Sequence, residues 1–345
     1  MPVADPFLSL TRISKIMSIP KASSRFVLAF GASVLLLGQG CTLEGDGTDV
    51  SEYADVIPEP ADVKVAGPET AGESAMSTAQ ADAAAPSSNY ARWYHFTRSV
   101  REQLNKVITR VIGSVAFVAH TKVTTTGEGF AEWGPFTLPQ DTVTWRLRIE
   151  RLGDQAYGYR LDGRPKSGSE ADFLLVLSGT AYGVNDERHG DGEFTIDIDA
   201  ARTLEPSKYG DQTGQATFSH DWVAPFDRRV NVDYDAGDGS FITLASQANA
   251  DLTGLFDVTG LADTDAFGAV GISQLEDFTL SSRWASSGAG RADVVIAAGD
   301  LSPVGGAMTI AECWAPDFGR VYYSDSLGVE PMAGDVSACA LASSD

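Results

Sequence analysis

Apolar residues recur at intervals of three or four just after position 90, the spacing that places side chains on one face of an α-helix. Ser88 and Asn89 precede this stretch and are residue types that cap helix N-termini. The pattern predicts an amphipathic helix over 91–113. Because its polar face is not strongly basic, we expect its apolar face to pack on a sheet and not on a membrane. The apolar positions are Trp93, Phe96, Val100, Leu104, Val107, Val111 and Val115.

After about residue 130 the period of the pattern changes to two, which is typical of strands with one buried face. Val143, Trp145 and Leu147 alternate with polar residues, and a turn at 152–154 leads to a partner strand at 157–161. We expect residues 90–345 to form one mainly β domain: an antiparallel sheet, a sandwich or a partial barrel with one N-terminal amphipathic helix. Further strands are predicted at 173–178, 194–198, 230–234, 241–245, 278–284, 292–297, 308–313 and 320–323.

The first forty residues are organised like an export signal. An uncharged apolar run over 26–38 follows Lys21 and Arg25. It is too short for a membrane-spanning helix, which needs about 20 residues. The pattern predicts a secretory signal peptide over 1–40. Translation is expected to start at Met17, because that start leaves a compact basic region before the apolar run.

The end of this run, LLLGQGC, resembles the signal of bacterial lipoprotein precursors, with Leu37 one place before the position where that family usually has leucine. The resemblance implies that Cys41 is acylated, with chains such as palmitate, and becomes the first mature residue. Two acyl chains would attach the protein stably to a membrane. Thr42 stands where an Asp would retain an enteric lipoprotein at the inner membrane, which implies an outer-membrane lipoprotein facing the periplasm or the outside. A plain secretory signal without acylation is the alternative.

Residues 41–89 have a different composition from the rest of the chain. They contain ten acidic residues and one basic residue, Lys64, but no Trp or Phe. A segment of this kind buries too little apolar surface to offset the entropy of ordering it. We therefore expect a disordered acidic tether over 41–89 that holds the folded domain away from the membrane.

The charge balance excludes one large class of partner. Asp and Glu total 47 against 25 Lys and Arg, a formal net charge of −22, whereas affinity for nucleic acid comes mainly from basic residues. The chain contains neither a glycine-rich nucleotide loop nor a His-Glu-x-x-His metal motif. We expect no nucleic-acid partner, no cofactor and no zinc site.

Two cysteines remain after Cys41. Cys313 and Cys339 would both be exported to an oxidising compartment, where thiols usually pair, so we expect a disulfide that closes the C-terminal tail. A metal pair or a catalytic thiol is the alternative. The tail resembles that of uncharacterised bacterial lipoproteins that also contain stretches like WGPF (133–136), TWRL (144–147) and GRPKS (163–167). That resemblance implies no activity.

Few residues suggest chemistry. Among the histidines, only His220 is flanked by both a carboxylate, Asp221, and an aromatic residue. A surface or packing role is expected for His95, which falls in the predicted helix. Asp197 and Asp199 are expected to share one face of a strand, a spacing that could suit a glycosidase acid and base. The same spacing also occurs on the wet face of any half-buried strand.

A second carboxylate cluster suggests calcium. Asp233, Asp235 and Asp238 alternate near glycines, as oxygen ligands do in some calcium turns. The stretch lacks the glutamate at position twelve that an EF-hand needs, because Leu244 stands there. A hairpin turn is therefore the expected structure, with a calcium turn as the alternative.

Three classes of function remain. The sequence favours a lipid-anchored envelope protein whose non-catalytic domain has a structural or interaction role with a protein or lipid partner. The second class is a carrier or binding module for an apolar ligand such as a lipid, comparable at the level of fold to the half-barrel lipoprotein carriers of bacterial envelopes. It predicts a large apolar pocket between helix and sheet. The third class is a hydrolase, which predicts a cleft where His and Asp converge.

Overall fold

The chain is built around one antiparallel sheet in which each strand pairs with its neighbours in sequence. A computed structural model describes residues 51–60, 62–68, 91–137, 141–183, 190–224, 227–263 and 274–343. The signal peptide predicted over 1–40 and the acylation site Cys41 lie outside the described residues. The described strands, in spatial order, are β1 Thr125–Gly127, β2 Phe130–Phe136, β3 Val143–Gly153, β4 Ala156–Pro165, β5 Leu174–Tyr182, β6 Asp191–Asp197, β7 Gln215–Ala224, β8 Asp227–Asp235, β9 Phe241–Ala248, β10 Gly254–Ala262, β11 Glu276–Trp284, β12 Gly290–Ala298, β13 Ala307–Trp314, β14 Arg320–Asp325 and β15 Ala333–Gly334.

The helices are few and unequal in length. The α-helices of the described residues are α1 Ser51–Ala54, α2 Arg92–Ala119, α3 Ile198–Leu204 and α4 Pro206–Tyr209. Short 3₁₀ turns occur at Glu170–Asp172, Gly299–Val304 and Val336–Ala338. The prediction of a mainly β, antiparallel fold is confirmed, and its strands form one continuous sheet.

The sheet curves around α2, which provides much of the core. The helix packs against β3 near one end of the strand order and against β11 and β12 near the other. It begins one residue after the predicted start and continues to Ala119, because the apolar face continues through the buried Val115 and Val118. Ile108 and Ile112 are fully buried on the same face. The predicted caps Ser88 and Asn89 lie outside the described residues.

An N-terminal strap, defined here as residues 51–60 and 62–68, packs into the domain, so the tether predicted over 41–89 is wrong for these residues. Val56 and Val65 are at most 2% exposed. The backbone N–H of Val65 donates to the side-chain oxygen of Asn105 in α2 at 2.8 Å, and that of Ala66 donates to Ser246 Oγ in β9 at 2.9 Å. The scattered apolar residues of this acidic stretch therefore supply enough burial to order it.

The C-terminal tail is fastened to the sheet by the predicted cysteine pair. Cys313 in β13 and Cys339 lie at disulfide distance, with Cα atoms 5.5 Å apart. Cys313 is fully buried, and the carbonyl oxygen of Ala342 accepts a hydrogen bond from the Arg283 guanidinium at 2.7 Å. The tail therefore covers part of the sheet formed by β11 to β13.

Candidate functional site

A pocket lies between the middle of α2 and the strands β6 to β9. The space between its atoms measures about 690 Å³, including the part open to solvent. Aliphatic and aromatic side chains form nearly all of its wall. The lining residues are Leu104, Val107, Val111, Ile196, Ile198, Tyr209, Gln212, Ala216, Phe218, Val232, Tyr234, Ile242 and Leu244.

The antiparallel register builds the sheet side of the pocket from cross-strand rows on one face. The first row consists of Ile196, Ala216, Tyr234 and Ile242. The second row consists of Phe194, Phe218, Val232 and Leu244. The rings of Phe194 and Phe218 stack with their centroids 4.8 Å apart. Because residues two apart on a strand share a face, the alternation that predicts these strands also produces the apolar wall.

The mouth of the pocket lies between α2 and the segment that joins β6 to β7. The partly buried lining residues include Val107 and Val111 on the helix, Ile198 and Tyr209 in the joining segment, and Tyr234 at the end of β8. Leu244, in the second row of the sheet, is buried. The partly buried lining residues therefore mark the side where a ligand would enter. The sequence pattern did not predict that this segment borders the pocket opening, because the position of the opening depends on the curvature of the whole sheet.

The joining segment is held by the two carboxylates that were expected to share a strand face. Asp197 caps α3, with its Oδ1 accepting a hydrogen bond from the N–H of Ala200 at 2.8 Å. Asp199 lies in the first turn of α3, and its Oδ2 accepts from the N–H of Gly214 at 3.1 Å. The prediction of a shared strand face is wrong because the chain changes from strand to helix between them.

His220 lies in the row beyond the two rows of the pocket wall and is 4% exposed. It pairs in register with Gly192 on one side and Val230 on the other. A Cβ atom at position 192 would come within 3.0 Å of the imidazole, so glycine there leaves room for the ring. Asp221 lies on the opposite face, 3.9 Å from Arg229. The two residues that are adjacent in sequence are therefore separated by the sheet.

The other histidines that the structure describes do not line the pocket. His95 is partly buried in α2, with its ring 4.8 Å from that of Tyr94, in agreement with a packing role. His120 ends α2, and its Nδ1 lies 2.8 Å from the carbonyl oxygen of Ala116. His189 lies outside the described residues.

The calcium candidates form a hairpin turn between β8 and β9. Asp235 accepts a hydrogen bond from the N–H of Gly237 at 2.8 Å, and Asp238 accepts from the N–H and the hydroxyl of Ser240. Asp233 lies on the exposed face of β8 and accepts from the Thr243 hydroxyl at 2.8 Å. Within the described part of the chain, no group of three or more His, Cys, Asp or Glu side chains is placed to hold a metal ion.

A buried carboxylate that the sequence analysis did not single out contacts the N-terminus of α2. Glu312 in β13 accepts hydrogen bonds from the N–H groups of Arg92 at 3.0 Å and Trp93 at 2.7 Å. It is fully buried, and its nearest basic partner, Arg320, is 4.0 Å away and also bonds Glu330. Burial raises the pKa of the Glu312 carboxyl to about 7, against the opposing effect of these hydrogen bonds.

Comparisons with known proteins add nothing to this geometry: the chain matches no family model, no curated protein and no solved structure. None of the helices in the described ranges is both long enough and apolar enough to cross a membrane.

Proposed function

We propose that this chain is a lipid-anchored protein of the bacterial cell envelope that binds an apolar ligand, the acyl chain of a lipid, in the pocket between α2 and the sheet. The pocket is the observation that carries the proposal. Its wall is apolar, it is built from a long helix and four strands, and its partly buried lining residues lie toward one side. Burial of an alkyl chain against such a wall is favourable in proportion to the apolar area removed from water.

The composition of the wall favours binding over catalysis. Among the residues that the structure describes, those that line the pocket include no histidine and no carboxylate, the groups most often used for acid–base chemistry. Gln212 and the hydroxyl groups of Tyr209 and Tyr234 are the polar groups of the lining, and the Tyr234 hydroxyl already donates to the carbonyl oxygen of Thr213 at 2.9 Å. A ligand would therefore be held mainly by its hydrocarbon part.

The proposal is tested by filling the pocket. Ala216 lies in the middle of the first row, between Ile196 and Tyr234, and is buried. We expect Ala216→Phe to reduce the affinity for the neutral probe N-phenyl-1-naphthylamine at least about tenfold, because the new ring occupies the ligand's space. Probe fluorescence is titrated with the purified domain, and binding is then competed with dodecanol.

A matched substitution separates loss of binding from loss of folding. Val295→Phe places the same ring on β12, where the native side chain is 40% exposed and does not line the pocket. It should leave probe affinity unchanged, and both variants should retain the melting temperature of the parent within a few degrees. Equal probe binding by the parent and Ala216→Phe would contradict the proposal and favour a structural or interaction role for the domain.

A further inference from the structure

The structure shows where the chain leaves the folded domain toward its N-terminus. At the start of the strap, Glu52 forms an ion pair with Arg151 at 2.5 Å, and the ring of Tyr53 meets that of Tyr157 edge-on at 6.0 Å. Arg151 and Tyr157 flank the turn between β3 and β4. The described chain therefore begins, at Ser51, beside the edge of the sheet that contains this turn.

Only ten residue steps separate Ser51 from Cys41. Even a fully extended chain of that length spans at most about 35 Å. Since the strap is part of the folded domain, the long spacer expected over 41–89 is not available to an anchor at Cys41. An acylated Cys41 would keep the β3–β4 edge close to the bilayer.

The same edge carries exposed apolar side chains. In an antiparallel meander the ends of β3, β5 and β9 lie at one edge, defined here as the strap edge. Leu152 and Tyr182 lie at the ends of β3 and β5, and Leu252 lies in the turn after β9; they are 59%, 49% and 52% exposed. Leu252 has a φ of 69°, a left-handed conformation that glycine or asparagine adopts at lower cost. Exposed apolar side chains can insert into a membrane interface. The opposite edge carries comparable ones, among them Leu175 and Phe241, so the point where the chain enters the domain, and not apolarity alone, selects the strap edge.

The charges of the strap edge indicate which lipid it contacts. Arg151 is already paired with Glu52, and the acidic Asp154 and Asp251 stand beside Leu152 and Leu252 in the turns. Attraction to anionic lipids requires an excess of Lys or Arg, which these turns do not have. Contact would therefore depend on the anchor and on the apolar tips.

We propose that the strap edge rests on the bilayer to which Cys41 is anchored, through Leu152, Tyr182 and Leu252. The pocket mouth lies near α3 and α4, between the end of β6 and the start of β7, and so at the opposite edge. The ligand site therefore opens away from the anchoring membrane. This orientation rests on the proposed acylation of Cys41 but not on ligand binding.

Depth-dependent quenching tests the orientation. The acylated full chain carrying Leu152→Cys or Leu252→Cys is labelled with a bimane fluorophore and placed in phosphatidylcholine nanodiscs that contain nitroxide-labelled lipid. The introduced thiol is the one available for labelling, because Cys41 is acylated and Cys313 is bonded to Cys339. Phe241→Cys is the matched control, since that residue is 46% exposed at the start of β9, on the opposite edge.

We expect quenching at positions 152 and 252 to be at least about twofold stronger than at 241, and to be unchanged when anionic lipid is added. Equal quenching at all three positions, or stronger quenching at 241, would overturn the orientation. Failure of the chain to remain with the nanodiscs would overturn the anchor and the orientation together. Neither result would affect the probe titration of the pocket, so the two proposals fail separately.

Discussion

The buried Glu312 replaces the local cap that is missing from α2. Ala91, which precedes the helix, makes no side-chain cap, and the first N–H groups of the helix donate instead to a carboxylate on β13. A negative charge is favourable at a helix N-terminus because it interacts with the free N–H groups and the helix dipole. Burial disfavours the charged form of the carboxyl. This effect is larger than that of the hydrogen bonds, so the pKa of Glu312 is raised.

The raised pKa predicts a pH-dependent stability. The folded chain keeps a proton on Glu312 in a pH range where the unfolded chain, with an ordinary pKa of 4.5, has lost it. The resulting stabilisation is complete below pH 4.5 and is lost as the pH rises through about 7. Relative to Glu312→Gln, the parent should lose up to about 3 kcal/mol of unfolding free energy across this window.

Urea unfolding of both proteins at several pH values between 4 and 8 measures this difference. Comparison with Glu312→Gln cancels the contribution of every other titrating group, because those groups are the same in both proteins. Glu132→Gln is the control, because it removes a carboxylate that pairs with Arg148 in β3. Its unfolding free energy should change with pH as that of the parent does. If the unfolding free energies of the parent and Glu312→Gln changed equally with pH, the raised pKa of Glu312 would be contradicted.

At the scale of elements, the strap is where composition and structure disagree most clearly. The strap is acidic overall, yet Val63 and Val65 are buried while Lys64 between them is exposed. Composition averages over such an alternation. The hydrogen-bond partners of Val65 and Ala66, in α2 and β9, lie 40 and 180 residues away in sequence. The packing could not be predicted without the fold.

Neighbouring substitutions in the strap test whether it is part of the folded unit. Val65→Asp buries an unpaired charge and should lower the free energy of unfolding by about 3 kcal/mol or more. Lys64→Asp introduces the same residue at an exposed position and should change the free energy of unfolding by less than about 0.5 kcal/mol. Chemical denaturation followed by tryptophan fluorescence makes the comparison, and equal small effects would mean that the strap is a tether after all.

The elements that the sequence did predict are those with a strong local period. The helix over 91–113 and the strand pair around 152–154 are observed because their apolar faces are continuous. Asp197 and Asp199 were misplaced because the change from strand to helix occurs within two residues and is marked only by a capping carboxylate. The pocket followed in outline from helix-on-sheet packing, but its mouth depends on the curvature of the sheet.

At the scale of the whole molecule, the mouth of the proposed ligand pocket and the proposed anchor lie at opposite edges of the sheet. The sheet curves around α2, the strap packs at one edge, and α3 and α4 lie at the other beside the pocket mouth. A domain held within about 35 Å of one bilayer with its mouth turned away is suited to exchange its ligand with a partner on the far side. Outer-membrane attachment would place that exchange in the periplasm or at the cell surface.

The most direct measurement is native mass spectrometry of the Cys41→Ser chain, secreted by an envelope-competent host, followed by solvent extraction. Because this variant cannot be acylated at position 41, it should be released in soluble form, and any lipid that it retains is bound non-covalently. We predict that the Cys41→Ser chain retains one lipid per chain. The double variant Cys41→Ser, Ala216→Phe should retain none. A mass equal to that of the polypeptide alone would contradict the proposal that the pocket binds a lipid.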